Sequence, residues 1–354
     1  MERVKAAIIG CGRDANNMHA PTLLDHPEFE VVGTYDTCSD AAEKMAEMFR
    51  EKGHACTAYE SREALLASDV QVCVVLTDSH THLEVCTACL RAGKYTLVTK
   101  PWVLNVQEAD ELIKESNEAK KKCGVQLMVF LPMSWDVIMR TIKEIVASGA
   151  IGQVYQIRRR ISTFGKRYDW QLYKKYGGGY LNNWGPHLLG QAMEFVDEPI
   201  TKVCAEKKQV IMDGDCEDTF YAMLKTKNGI IINCEYAIMI DDLPHWTVQG
   251  SKGTIFVKDN VIDVHKISHP GPIDYTAYRN PFKDDHETFA ITIPADGGYH
   301  EIYYHVASVI RGECPYMVPL GLTRNLTLLI DSIHRSAETD ELVRISPEEW
   351  NKAL

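Results

Sequence analysis

The sequence predicts an α/β protein of two domains, with a parallel sheet in the first and a largely antiparallel sheet in the second. Short apolar strands alternate with amphipathic helices from Val4 to about Gly124, which is typical of βαβ units. Beyond Val125, strand-like segments follow one another through short turns, which indicates an antiparallel sheet. A chain of 354 residues can bury two cores. We therefore expect one domain over residues 1–125 and a second over residues 126–354.

The first strand and the turn after it form a candidate phosphate site. Val4–Ile9 is apolar and leads into a glycine-rich turn with a small residue, Ala15, behind it. A strand that enters Gly-x-Gly and then a helix turns backbone N–H groups and the helix N-terminus toward one point, which suits a pyrophosphate. The stretch predicts a dinucleotide site whose cofactor contacts include Gly10, Gly12, Arg13 and Asp14.

The second strand, Phe29–Tyr35, ends at Asp36, near the spacing at which an acid meets the adenosine ribose. A carboxylate there accepts hydrogen bonds from a 2′-hydroxyl and repels a 2′-phosphate, so Asp36 favours NAD over NADP. Asp36 could also shape the turn or cap the helix predicted over residues 39–50, and the two roles are compatible.

Two further apolar strands end in polar residues. Residues 70–76 lead into Thr77, and Tyr95–Thr99 leads into Lys100 and a proline that fixes the backbone. Ligands of parallel sheets collect at the carboxyl ends of the strands. We therefore expect the residues at these ends to lie together: Gly10, Asp36, Thr77 and Lys100.

The second domain is predicted as an α+β domain with a large, mostly antiparallel open sheet. Its predicted elements are a helix over residues 134–148 and strands over 154–163, 200–212, 219–226, 230–240, 246–250 and 254–257. The run Arg158, Arg159 and Arg160 falls in the first of these strands, where alternation splits it between two faces.

Composition excludes several classes of partner. The net charge of −11 argues against nucleic acid and against an anionic membrane surface. The eleven cysteines lack disulfide-like spacing, and the sequence shows no signal-peptide pattern and no long apolar span, so we expect a cytoplasmic protein. No set of ligand residues has the spacing of a metal site.

A second candidate site lies at residues 177–187, GGGYLNNWGPH. Because proline suits the first helical position, Pro186 predicts that His187 stands in the first turn of a helix. The positive helix end would lower the pKa of His187 and keep it a free base near neutral pH. A histidine at a helix start can also cap or pack. Just upstream are side chains suited to a polyol or glycoside, Arg167, Tyr168, Asp169, Trp170 and Gln171, although this stretch could equally begin a helix.

Taken in order, these motifs resemble those of the Gfo/Idh/MocA oxidoreductases. They are GCGRDANNMHAP, then Thr77 and His82 in TDSHTH, then TKP ending at Pro101, then GGGYLNNWGPH. The resemblance spans nearly the whole chain and implies a Rossmann domain followed by a domain whose open sheet commonly mediates homo-oligomers, a dimer or tetramer here. It also implies NAD(P)-dependent oxidation or reduction of a secondary alcohol of a sugar, cyclitol or polyol, with Lys100 and His187 as the catalytic residues.

Three positions depart from the family pattern. Thr99 stands where a glutamate is usual before the lysine, and Asn183 stands where an aspartate is usual before the histidine. Gln191 stands where a second aspartate often follows. An asparagine cannot ionise, but it can orient a hydroxyl by hydrogen bonds.

The leading hypothesis is oxidation of a ring hydroxyl of a sugar, glycoside or cyclitol, with the 3-hydroxyl of a glucoside as one candidate. His187 removes the hydroxyl proton, Lys100 stabilises the oxygen, Asn183 orients the ring, and hydride passes to the nicotinamide. A redox-neutral glycosidase that oxidises, eliminates and reduces within one turnover would begin with the same residues. A non-catalytic dinucleotide-binding regulator is the remaining alternative.

Overall fold

The computed structural model describes residues 2–268, 275, 276, 278, 283–292, 298–350 and 352. The first domain is built on a six-stranded parallel sheet in the order β3-β2-β1-β4-β5-β6. Its strands are β1 Val4–Ile9, β2 Phe29–Tyr35, β3 Thr57–Ala58, β4 Val72–Val75, β5 Tyr95–Thr99 and β6 Leu127–Phe130. This is the strand order of a dinucleotide-binding fold, and the sheet continues past residue 125 to Phe130.

Helices cover both faces of this sheet. They are α1 Ala20–Leu24, α2 Ser39–Glu51, α3 Arg62–Leu66, α4 His82–Arg91 and α5 Val106–Cys123, with a π-helical turn over Ala15–His19 before α1. The four residues of β4 are all buried, as expected of a central strand covered on two faces. Asn105 caps α5 by accepting a 2.9 Å hydrogen bond from the Glu108 N–H.

The second domain contains a nine-stranded sheet in the order β14-β13-β12-β11-β7-β10-β9-β8-β15. Its strands are β7 Val154–Thr163, β8 Ile200–Lys208, β9 Thr219–Thr226, β10 Ile231–Ile238, β11 Trp246–Gly250, β12 Gly253–Lys258, β13 Val261–Ser268, β14 Lys283–Ala290 and β15 Val343–Arg344. All pairs are antiparallel except β7 with β10. The mostly antiparallel sheet is confirmed, and β13, β14 and β15 extend it beyond the predicted strands.

The remaining helices are α6 Val137–Ala147, α7 Tyr180–Met193, α8 Tyr299–Ile310, α9 Leu320–Thr339 and α10 Pro347–Trp350. Short 3₁₀ turns lie at Pro132–Trp135, Trp170–Leu172 and Lys174–Tyr176. Helix α7 packs against β7, β9 and β10, and α9 packs against β8 and against α5 of the first domain. These two helices therefore cover one face of the large sheet.

The arginine run in β7 divides as the alternation predicts. Arg159 lies on the covered face and is buried, whereas Arg158 and Arg160 lie on the opposite face. That opposite face carries both charged and apolar side chains. Arg160 donates to Glu235 at 2.7 Å, and three large apolar side chains stay exposed: Tyr221, Met223 and Phe256.

Helix α7 corrects one prediction. It begins at Tyr180, so Pro186 lies inside the helix and His187 is in its middle rather than its first turn. The start is set instead by Gly179, whose φ is +103°, and by Glu217, whose carboxylate accepts a 3.1 Å hydrogen bond from the Leu181 N–H. The proline is tolerated because most residues of α7 are buried, so packing offsets the lost backbone bond.

The last part of the chain returns to the first domain. Tyr303 of α8 shares a 2.7 Å hydrogen bond with buried His19 of the π-helical turn. Arg324 of α9 donates to Asp110 of α5 at 2.7 Å, and Trp102 donates to Thr327 at 3.2 Å. These contacts fix the carboxyl edge of the parallel sheet against the second domain. No helix in the described part of the chain is long and apolar enough to cross a membrane.

Candidate active site

A cavity of about 460 Å³ lies where the carboxyl ends of β1 and β5 meet α7. Of the expected site residues, those that line it are Arg13, Asp14, Lys100, Arg167, Asn183 and His187. The others lie outside its lining: Gly10, Gly12, Asp36, Thr77, His82, Pro101, Asp169 and Trp170. A largely apolar wall completes the cavity, formed by Met18, Phe130, Met133, Trp135, Ile138 and Tyr299.

The glycine-rich turn has the geometry of a phosphate cradle. Gly10 has a φ of +96°, and a Cβ there would lie 2.7 Å from the backbone of Leu76 and Thr77. Gly12 differs, because a Cβ at that position would meet nothing within 4 Å. The fold therefore requires a glycine at position 10. At position 12 the glycine has no neighbour to avoid, and its lack of a side chain leaves the backbone exposed to open space. That space suits the pyrophosphate of a dinucleotide.

Asp36 shapes this turn. One carboxylate oxygen accepts a 2.7 Å hydrogen bond from the Cys11 N–H, and the other accepts a 2.8 Å bond from the Cys38 N–H. The carboxylate therefore connects the turn after β1 to the turn after β2. Oδ2, which accepts from the Cys11 N–H, retains a further lone pair, so this structural role leaves Asp36 able to accept a ribose hydroxyl.

His82 lies outside the cavity lining and contacts two segments that border the site. The side chain is fully buried, with Nδ1 2.9 Å from the Pro101 carbonyl and Nε2 2.9 Å from the Thr77 carbonyl. The ring thereby connects the segments that follow β4 and β5. Its neighbour Thr81 donates to the Thr77 hydroxyl at 2.7 Å. These residues hold the edge of the sheet that presents Lys100.

Lys100 reaches from the end of β5 to α7. Its Nζ donates to Asn183 Oδ1 at 2.9 Å and to the Asn183 carbonyl at 3.1 Å. Burial lowers the pKa of Lys100 to about 8; the Asp14 carboxylate opposes this shift, and Arg167 and Arg13 add to it. The partner that holds the ammonium is a neutral amide, so it orients the lysine without supplying a compensating charge.

His187 is a buried, neutral base. Burial lowers its pKa well below the usual value, and the charges of Lys100 and Arg159 lower it further. The sequence predicted this direction from a helix N-terminus, but His187 lies in mid-helix and the cause is burial. Its Nδ1 has no hydrogen-bond partner among the residues that the structure describes. The Trp184 ring lies 5.5 Å from the imidazole.

Arg159 stands behind His187 without an acidic partner among its observed hydrogen bonds. Its Nε donates to Gln191 Oε1 at 2.6 Å, and its guanidinium lies 5.0 Å from the Trp246 ring. Burial lowers the pKa of Arg159 to about 10, a value at which it is still charged near neutral pH. The glutamine thus holds a buried cation that disfavours protonation of His187.

Asp169 joins the two domains rather than facing the cavity. Arg167 donates to both of its oxygens, at 2.8 and 2.9 Å, and Arg13 of the first domain donates to one of them. Trp170 begins the 3₁₀ turn that Asp169 caps, and Gln171 rather than Trp170 lines the cavity.

Sequence reasoning missed two residues here. Trp184 lines the cavity between the catalytic candidates, with its ring 5.8 Å from Lys100 Nζ. It lies three positions before His187, and this helical spacing could have identified it. Glu217 caps α7 from a distant part of the chain. Because Glu217 is 36 residues beyond Leu181, nothing in the sequence near the start of α7 indicates this hydrogen bond. Gln171, which the sequence did suggest, lines the cavity beside Arg167.

Comparison with known proteins agrees with this architecture. Residues 4–127 match the model described as an oxidoreductase family with an NAD-binding Rossmann fold, and residues 139–256 match the GFO/IDH/MocA C-terminal domain. The chain is 27% identical over 267 residues to the myo-inositol 2-dehydrogenase of Thermotoga maritima, covering 73% of this chain and 76% of that protein.

The name of a second relative describes a dehydrogenase of glucosides. The chain is 25% identical over 202 residues to the D-glucoside 3-dehydrogenase of Escherichia coli, covering 56% of each protein. Among solved structures, an NAD-binding protein from Listeria innocua superposes with a TM-score of 0.82 at 24% identity, covering 99% of both chains. The two family matches together take in most of the sequence, and the chain belongs to the Gfo/Idh/MocA oxidoreductases, with an NAD-binding Rossmann domain at its N-terminus.

Proposed function

We propose that the protein oxidises a secondary ring hydroxyl of a sugar, glycoside or cyclitol, with NAD as the hydride acceptor. The observation that carries the proposal is the shared cavity of Lys100, Asn183 and His187 beside Arg13 and Asp14 of the dinucleotide turn. A neutral base and a hydrogen-bonding lysine next to a dinucleotide site are the groups that alcohol oxidation needs.

His187 serves as the proton acceptor. A ring with a depressed pKa is unprotonated across the neutral range, so it is ready to take the hydroxyl proton. The buried charges of Lys100 and Arg159 oppose its protonation, so the proton it accepts is also readily released.

Lys100 and Asn183 act on the oxygen. The ammonium has donors beyond those used by Asn183, and in the cavity it hydrogen-bonds the substrate oxygen as negative charge develops there. Asn183 holds the lysine and presents its amide to a neighbouring hydroxyl of the ring. Trp184 offers an aromatic face beside them, suited to the C–H face of a sugar.

The cofactor would be held by residues of the first domain. The Gly12 backbone would receive the pyrophosphate in the open space against it, and Asp36 would accept a ribose hydroxyl, which favours NAD over NADP. Thr77 and Pro101 belong to the segments that border this site, and His82 holds those segments in place. When bound, NAD supplies the hydride-accepting nicotinamide.

The apolar wall favours a glycoside over a free cyclitol. The cavity lining also contains apolar side chains that match no hydroxyl-rich ligand: Met18, Phe130, Met133, Trp135, Ile138 and Tyr299. An apolar or aryl aglycone would bury surface against them. In the same cavity, Arg167 and Gln171 can meet ring hydroxyls.

The test is absorbance at the NADH band, with purified protein, added NAD and a panel of free sugars, cyclitols and aryl glucosides. Released aglycone is followed in parallel. NADH that accumulates with one substrate class supports the dehydrogenase and identifies the class. Aglycone release without NADH supports the redox-neutral glycosidase, and no change in either signal favours the non-catalytic regulator.

We also propose a cytoplasmic homo-oligomer that pairs through the open face of the large sheet. Tyr221, Met223 and Phe256 are exposed there, and the eleven cysteines are all free, as is usual where thiols stay reduced. Light scattering on a sizing column should give a dimer or tetramer. The variant Met223→Lys should shift the mass toward the monomer.

A further inference from the structure

The segment over residues 164–179, here called the strap, lies across the carboxyl edge of the Rossmann sheet. Asp169 contacts Arg13, which follows β1. The Tyr176 ring lies 5.5 Å from the ring of His80, which follows β4. Gly177 approaches Leu104, after β5, so closely that a Cβ would lie 2.4 Å from Leu104 Cδ2. The strap therefore touches the loops after three neighbouring strands, the edge along which a dinucleotide binds.

One ion pair connects the strap to the glycine-rich turn. Arg13 follows Gly12 directly, and its Nη1 donates to Asp169 Oδ2. Asp169 is itself fixed in the strap, because Arg167 donates to both of its oxygens and the Gln171 N–H donates at 3.1 Å. Within the described structure, Arg13 and Asp169 are the ion pair that joins the strap to the first domain. The pair thus lies at the residue after Gly12, whose backbone faces open space.

We propose that the strap encloses the bound dinucleotide and that the Arg13–Asp169 ion pair is its latch, so that NAD is retained between turnovers. Release of the cofactor requires the strap to lift, and lifting it breaks this pair. The inference rests on the proposed use of NAD and gives Asp169 a role in holding the cofactor instead of the sugar.

Retention has a chemical consequence. A retained NADH must return its hydride inside the same cavity, together with a proton, to a carbonyl group. That carbonyl is either the oxidised intermediate itself or a second substrate of the ketone or aldehyde class. A slow release rate therefore favours redox-neutral or two-substrate turnover over release of free NADH.

The experiment measures the dissociation rate of NADH without any substrate. Protein loaded with NADH is mixed with excess NAD in a stopped-flow fluorimeter, and the loss of NADH fluorescence gives the rate. We expect Arg13→Met and Asp169→Asn each to release NADH roughly three- to tenfold faster than the unmodified protein, the range for one partly screened ion pair. The double variant should match the single variants, since each breaks the same contact.

A matched control removes an ion pair elsewhere. Arg91 pairs with Glu115 between α4 and α5, so Arg91→Gln deletes one arginine charge away from the strap and should leave the rate unchanged. The unmodified protein should also release NADH faster at high salt, while the latch variants should respond less.

Three outcomes overturn the latch. The first is equal release rates in all variants, and the second is a double-variant effect equal to the product of the single effects, which would indicate separate contacts. A protein that binds no NADH at all overturns both the latch and the proposed cofactor. Because the Arg13 side chain is half-exposed, Arg13→Met should fold, and its NADH release rate tests the latch if Asp169→Asn does not fold.

Discussion

Lys100 Nζ lies 2.9 Å from Asn183 Oδ1, so a lysine of the first domain is held by an amide of the second. An aspartate at position 183 would balance the ammonium, whereas the amide leaves it charged in a buried place. Burial lowers the pKa of Lys100 to about 8 for this reason. The protonation of this lysine therefore changes within the pH range in which dehydrogenases are assayed.

The rate should depend on that protonation. In the proposed mechanism Lys100 stabilises the substrate oxygen only as an ammonium, so kcat/KM should fall as the pH rises through about 8. His187 has a pKa well below its usual value and stays unprotonated throughout this range. The measurement is a pH profile of NAD reduction. The variant Lys100→Arg keeps its charge at these pH values, so its profile should lose the alkaline fall even if its rate is low.

An acid at position 183 should change the pH at which kcat/KM falls. In Asn183→Asp a carboxylate would lie beside Lys100 Nζ and raise the lysine pKa by roughly one to three units. The midpoint of the fall should then lie at a higher pH than in the unmodified protein. An unchanged midpoint in Asn183→Asp would mean that another group controls the profile.

Removing the proposed base should reduce turnover far more than substrate binding. His187→Ala should lower kcat by roughly two to four orders of magnitude, the usual share of general acid–base catalysis, while KM changes little. His286 of β14 lies outside the cavity lining, and His286→Ala should leave kcat unchanged. A His187→Ala protein with undiminished turnover would exclude the histidine as the base.

The fold could be predicted wherever local pattern and burial agree. The strands β1 and β4 are apolar because they are covered on both faces, and their ends carry candidate cofactor residues as parallel topology requires. Strands β13 and β14 were missed because polar residues interrupt their apolar alternation, and only pairing across the sheet defines them. The family resemblance supplied Lys100 and His187 together, since neither position is distinctive alone.

The parts of the site that could not be predicted depend on contacts distant in sequence. Local preference places Pro186 at a helix start, yet Glu217 caps α7 from 36 residues beyond Leu181 and moves the start to Tyr180. Asp169 is of a residue type that often binds sugar hydroxyls, so the sequence predicted a substrate contact. Only the fold shows that Arg13 and Arg167 donate hydrogen bonds to its carboxylate.

His82 should contribute to stability and not to chemistry. In His82→Phe a ring of similar shape could donate no hydrogen bond, so whichever of the Thr77 and Pro101 carbonyls the single N–H of the neutral imidazole serves would lose its donor. An unpaired buried acceptor costs about 1–3 kcal/mol, so the free energy of unfolding in urea should fall by that amount. The exposed neighbour serves as control, and His80→Phe should leave the unfolding free energy unchanged. Equal stability of the two variants would contradict the connecting role of His82.

The two glycines of the cofactor turn should separate folding from binding. Gly10→Ala forces a Cβ to within 2.7 Å of the Leu76 and Thr77 backbone at a φ of +96°, so the variant should be strongly destabilised. Gly12→Ala places its methyl group in open space, so the unfolding free energy should stay close to that of the unmodified protein. The same methyl group would occupy the space assigned to the pyrophosphate, and NADH affinity should fall by at least about tenfold, as expected where the backbone must approach the ligand.

Urea unfolding and fluorescence titration with NADH on both variants distinguish these effects. A Gly12→Ala protein that is stable and yet binds NADH normally would show that the dinucleotide does not lie against this turn. A Gly12→Ala protein that is stable and no longer binds NADH supports the cradle, because the loss then cannot come from unfolding. The contrast between the two glycines therefore tests the cofactor position before any substrate is known.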